Sequence, residues 1–172
     1  MAPRKSKTDP QILQMPPQKM AVIQGKGAPD KVFSELMPAL FGSVYTLKFD
    51  LKKRGLPTFK VSPPRARYPD AHLVPKAEWT IVLASPVPDD TISLPQKVPG
   101  LKVKLETWDY GTVAQILHIG PYDQEGPTIE RLQKFITENG YEIASPHEEE
   151  YLSQPDAKVI KTIIRYVVKK KA

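Results

Sequence analysis

The chain has 172 residues, with 25 lysines and arginines against 19 acidic side chains and no cysteine, which excludes a disulfide scaffold and a thiolate metal site. Apolar residues make up 40%, enough for a core, and no apolar run approaches the ~18 residues of a membrane span. The opening residues Met1 to Gln11 lack the apolar stretch of a secretory signal, so a cytoplasmic protein with no membrane partner is expected.

Met20 to Gly27 is a short β-rich run closed by glycines, and Pro29-Asp30 opens a periodic segment. In that segment Phe33, Leu36, Met37, Leu40, Phe41, Val44, Tyr45 and Leu51 recur every three or four residues, which predicts a helix with one buried stripe. Pro38 lacks the N–H for the carbonyl four residues back, so a kink there, or a start near it, is expected. Gly55 to Lys76 holds five prolines in 22 residues and reads as one long loop, with Phe59, Tyr68 and His72 as its inward anchors. Loops of this length often cover a site, although a surface excursion without a role fits equally well.

Glu78 to Ser85 alternates as a strand with Trp79, Ile81 and Leu83 on one face, ended by Pro86. Leu101 to Thr107 and Thr112 to Ile119 follow as strands, joined by Trp108-Asp109-Tyr110-Gly111 in what reads as a tight hairpin. Pro127 begins a second helix, with Ile129, Leu132, Phe135 and Ile136 as its stripe and Asn139-Gly140 as its stop. His147 to Leu152 and Lys161 to Val168 complete the strands.

The order strand, helix, strand, strand therefore occurs twice. A shift of about 93 positions lays Gly27 on Gly120 and Asp30 on Asp123, each pair at a corner between a strand and a helix. The fold class is α+β: duplicated βαββ units with antiparallel sheets, two main helices and a central ligand groove. The repeats span residues 18–108 and 111–168 within one domain, 16–168, flanked by basic tails at 1–15 and 169–172.

Arg4, Lys5, Lys7 and Lys169 to Lys171 account for the whole net charge of +6, leaving the body neutral. From Asp123 to Asp156 nine acidic residues face only Arg131 and Lys134. An acidic half repels phosphate backbones, so no nucleic-acid partner is expected and a small ligand is favoured.

The densest polar run is His147-Glu148-Glu149-Glu150-Tyr151-Leu152. On a strand, alternation sets His147, Glu149 and Tyr151 on one face and Glu148 with Glu150 on the other, and three successive glutamates read as a solvated edge. The corner His118-Ile119-Gly120-Pro121-Tyr122-Asp123 is a second candidate, with Asp123 equally suited to satisfying helix amides. The three histidines, His72, His118 and His147, show no helix-ligand spacing or HExxH motif, so no metal is expected. Gly-rich phosphate loops and a GxSxG elbow are missing as well. Trp79, Tyr122 and Tyr151, with Trp108 or Tyr45, suit an aromatic box around one carboxylate, although Tyr45 on the helix stripe reads as core. A carboxylate in such a box either pairs with a cation or has its pKa raised and serves as acid or base.

The segments PPQKMAVIQGKG, EWTIVLASP, HIGPYDQEGPTIERLQKFITENGYEI and HEEEYLSQPDAKVIKTIIRYVV together resemble the GyrI-like small-molecule-binding family, from about Met15 to Val168. The resemblance implies a tandem βαββ fold shared with multidrug-regulator effector domains and related to SOUL proteins. It also implies that Glu149 reaches the ligand, with Tyr122 and Trp79 beside it, reversing the solvated-edge reading for Glu149 alone. Stand-alone members resemble enzymes that open the cyclopropane of cyclopropanoid genotoxins. On that model the catalytic residues are Glu149, Tyr151 and Tyr122, and the ligand contacts are Trp79, Glu149, Tyr122, Tyr151, His118 and Trp108. The Leu-Glu-Gly-Leu-Trp segment common in relatives is replaced here by SPPRARYPDAHLVP.

The expected partner is a small aromatic or cationic organic ligand, with no cofactor, since nothing marks His118 or His147 as a haem ligand. A non-catalytic module that senses or sequesters amphipathic cations is the alternative, and a protein partner, as for the gyrase inhibitor, is a third reading. No DNA-binding helix pair fits ahead of Met20, so a self-contained transcription regulator is not expected.

Overall fold

The computed structural model describes residues 8–154 and 156–172. In chain order the elements are β1 (Gln11–Met15), β2 (Gln18–Lys26), α1 (Pro29–Lys53), β3 (Arg65–Tyr68), β4 (Thr80–Pro86), β5 (Lys104–Trp108), β6 (Gly111–Ile119), α2 (Gly126–Glu138), β7 (Tyr141–Ile143), β8 (His147–Tyr151) and β9 (Lys161–Lys170). They form two units, Pro17–Asp109 and a second made of the chain up to Pro16 with Tyr110–Ala172.

The first unit is an antiparallel sheet ordered β3-β4-β2-β5 with α1 packed on β2 and β4. Its core joins Val32, Leu36, Leu40 and Val44 of the helix to Ala21, Ile23, Ile81 and Leu83 on the facing side of the strands. The helix comes so close at Gly25 that a Cβ there would lie 2.6 Å from the Leu36 side chain. The buried stripe thus runs through Val32, Ala39 and Ser43, whereas Tyr45 and Phe49 are exposed. Helix α1 continues through Pro38 without interruption, on a side open to solvent.

The second unit repeats the pattern as β8-β9-β6-β1, with α2 packed on β6 and β7 and with β7 paired to the far end of β9. Ala114, Ile116, Leu132, Ile136, Ile164, Tyr166 and Val168 form its core. The duplication is visible in the corners. Gly27 (φ +141°) and Gly120 (φ +132°) both take a conformation that a side chain disfavours. Each also donates its N–H, at 2.9 Å, to the residue just before the last strand of the βαββ core, Trp79 or Ile160. Asp30 lies in the first turn of α1, but Asp123 lies in a 3-10 turn, Tyr122–Gln124, that precedes α2.

Several expectations need correction. The tail expected over residues 1–15 becomes strand from Gln11, where backbone pairing with β6 fixes it, and Arg131 binds the Thr8 carbonyl and the Asp9 carboxylate at 2.9 Å. Arg4, Lys5 and Lys7 lie outside the described residues. At the other end β9 runs on through Lys170, because β7 pairs with it and Lys169 meets Glu142 at 3.3 Å.

The proline-rich loop contains β3, a four-residue strand in which Ala66 and Tyr68 are buried and the arginines alternate with them. Within that stretch Phe59 is half-buried and His72 exposed. The hairpin expected at residues 108–111 does not form: β5 pairs with β2, and β6 with β1 and β9. Tyr110, read as a turn residue, is buried.

Candidate functional site

The site grows from the corner after β6 and from β8, both in the second unit. Gly120 turns the chain, Pro121 opens the 3-10 turn, and Gly126-Pro127 starts α2. Glu125 thereby stands at the mouth of the helix, only 7% exposed. On β8 the expected alternation holds. His147 Nε2 lies 2.8 Å from Glu149 Oε2, and His147 Nδ1 lies 2.7 Å from the Tyr166 hydroxyl. The three polar groups thus form a hydrogen-bonded chain, Tyr166–His147–Glu149, that fixes the Glu149 carboxyl.

Glu149 is 8% exposed. One ligand-type atom from each of Glu125, His147 and Glu149 lies within 4.8 Å of the other two. Burial, and then the charge and hydrogen bonding of Glu149, push the Glu125 carboxyl up to about 8. Two carboxyls in one desolvated space cannot both ionise cheaply, so Glu125 is the member that keeps a proton at neutral pH. Its Oε1 is shut off from solvent and has no hydrogen-bond partner.

Tyr122 and Tyr151 meet edge to face with ring centroids 5.9 Å apart. Burial, and then the charges of Glu125 and Glu149, raise the Tyr122 phenol, so it stays a proton donor, while its 44% exposure leaves it reachable. Burial likewise keeps Tyr166 neutral. His118, proposed above as a ligand contact, is instead held within its corner: Nδ1 lies 2.7 Å from the Thr128 hydroxyl and Nε2 3.0 Å from the Pro121 carbonyl.

The two tryptophans belong to the first unit. Trp79 packs edge to face on Tyr68 at 5.6 Å, and its indole Nε1 is buried without a hydrogen-bond partner. Trp108 is buried beneath the Arg67 guanidinium, 3.7 Å above its ring.

The opposite face of β8 is not a solvated edge. Glu148 is 1% exposed, accepts from Arg165 Nη1 at 2.8 Å and from the Tyr110 hydroxyl at 3.0 Å, while Arg165 also meets Glu150 at 3.3 Å and Gln115 at 2.8 Å. Burial opposes the arginine charge, but Glu148 and Glu150 outweigh it and raise the guanidinium pKa. One strand therefore turns a buried ion pair to one side and the His147–Glu149 pair to the other.

A family model for the GyrI-like small molecule binding domain matches residues 8–167. The chain belongs to the GyrI-like family. No curated protein matches it. Among solved structures, a hydrolase from Listeria innocua is similar at 22% identity, TM-score 0.79, covering 96% of this chain and 94% of that one. The EcmrR C-terminal domain is similar at 16% identity, TM-score 0.68, covering 95% and 98%. At these identities the likeness establishes the GyrI-like fold. No helix among the described residues is long and apolar enough to cross a membrane.

Two members of the cluster escape a reading of the sequence as site residues. Glu125 lies 22 positions before His147 and looks like the lead-in to a helix. His147 shares a face with Glu149 by simple alternation, the one signal that pointed to it.

Proposed function

We propose that this GyrI-like domain is a hydrolase of cyclopropanoid or similarly electrophilic planar compounds, with Glu149 as its base. The observation that supports the reading is the buried pair of carboxyls, in which Glu125 keeps the proton and Glu149 is oriented by His147. Glu149 takes a proton from water as its oxygen attacks the strained ring carbon. The carbon–carbon bond breaks, and its electron pair moves into the conjugated carbonyl as a phenolate, to which the neutral Tyr122 hydroxyl donates. Glu149 then returns its proton to the phenolate through solvent, so that the net change is addition of one water. Tyr151 holds the Tyr122 ring through their edge-to-face contact. The similar Listeria innocua protein is itself called a hydrolase.

A binding module for amphipathic cations is the second reading, favoured by two carboxyls in a shielded space. Incubation with a cyclopropanoid substrate, followed by mass spectrometry of the ring-opened product, separates the two. Product from the wild type that is lost in Glu149→Gln supports the hydrolase. Equal product in the variant removes Glu149 as the base, and bound but unopened ligand favours the binding module.

A further inference from the structure

We propose that Glu125, His147 and Glu149 form a binding site for a divalent first-row transition-metal ion of the zinc or manganese type. The inference goes beyond the hydrolytic reading. Ion binding and turnover are separable, since a base-catalysed reaction needs no metal.

The geometry is close to what such an ion requires. Metal–ligand bonds of about 2.0–2.2 Å put neighbouring ligand atoms about 3 Å apart and opposite ones about 4.2 Å apart. His147 Nε2 and Glu149 Oε2 stand 2.8 Å apart, and all three ligand-type atoms fall within 4.8 Å. Rigid elements supply the ligands: two alternate on one face of β8, and the third stands at the start of α2.

Glu125 adds an observation of a different kind. It is more than nine-tenths buried, and its Oε1 has neither solvent nor a hydrogen-bond partner. That oxygen is buried without a partner, and a divalent ion taking the place of the Glu125 proton would supply one. Two carboxylates and one doubly charged ion also sum to neutrality, the charge state a desolvated site tolerates best.

The surroundings match those of metal-ligating histidines, whose second ring nitrogen is commonly tied to an oriented polar group. Here, with the ring proton on Nδ1, that nitrogen would donate to the Tyr166 hydroxyl at 2.7 Å and leave the Nε2 lone pair turned toward the carboxylates. One imidazole and two carboxylates without a thiolate suit zinc, manganese, iron(II) or cobalt rather than copper(I). Three protein ligands also leave positions open for water or an organic ligand.

The test uses the full-length, metal-stripped protein with Zn²⁺ or Co²⁺ alone. Uptake is measured by calorimetry and elemental analysis, and Co²⁺ is followed by its visible d–d absorption. The expected result is one ion per chain, bound at least ~100-fold more weakly by Glu125→Gln and His147→Ala, with uptake retained in His72→Ala. Should His147→Ala fail to fold, the near-isosteric Glu125→Gln carries the test, with circular dichroism as the check on its fold. Absence of stoichiometric uptake by the folded wild type overturns the site. So does uptake that survives Glu125→Gln or is lost in His72→Ala.

Discussion

Strands β3 and β8 hold equivalent places in the two units, each paired with the last strand of its βαββ core, yet one reads RARY and the other HEEEY. In the first unit Arg67 lies on Trp108, and no buried carboxylate pair is formed among its described residues. In the second, β8 buries Glu148 against Arg165 on one face and sets Glu149 beside His147 on the other. The corners differ in the same sense. The chain passes from Gly27 almost directly into α1, whereas five residues separate Gly120 from α2 and carry Tyr122 and Glu125 to the site. The two units share the scaffold, down to the paired glycine hydrogen bonds, while only one strand and one corner of the second carry the buried carboxyl pair.

The contrast is tested most severely by removing the charge that anchors β8. Arg165→Ala strands Glu148 as a buried, uncompensated carboxylate and is expected to cost about 3–5 kcal/mol in urea unfolding. A loss below about 1 kcal/mol would mean that Glu148 finds water, contrary to its burial.

The next effect is pH-dependent. In chelator-treated protein the folded state keeps a proton on Glu125 up to about pH 8, whereas the unfolded chain releases it near 4.5. Stability from this group is therefore complete below pH 4.5, declines as pH rises toward 8 by at most about 1.4 kcal/mol per pH unit, and levels off above. Glu125→Gln should flatten that slope in unfolding measured between pH 5 and 8. An unchanged slope would place the proton elsewhere.

The smallest effect belongs to the first unit. Arg67→Ala removes the guanidinium from the Trp108 face and should cost about 1 kcal/mol, with ring-opening activity retained within a few-fold. Complete loss of activity with the fold intact would move part of the chemistry into the first unit.

The helices and longer strands were legible because their apolar spacing repeats over several turns or pleats. Shorter elements were not. In β1 the apolar pair Ile12-Leu13 breaks alternation, and β3 is bracketed by Pro63-Pro64 and Pro69, so each reads as connection until its neighbour supplies the backbone hydrogen bonds. Glu148 was misread for a related reason. Its partner Arg165 lies on the adjacent strand, directly opposite in register, and a run of glutamates carries no mark of that pairing. Of the site, Glu149 and the tyrosines were legible through the family motifs. Glu125 was not, because only the turn after Gly120 brings it to β8.

On the proposed mechanism one carboxyl of the pair acts as base while the other holds the proton. Ring-opening rates on a cyclopropanoid substrate, measured with chelator present for the wild type, Glu149→Gln and Glu125→Gln, test it directly. The expected result is a loss of at least ~100-fold for Glu149→Gln. Glu125→Gln, whose amide mimics the protonated acid, is expected to lose less than ~10-fold. Equal losses in the two variants, or a greater loss in Glu125→Gln, would contradict the assignment.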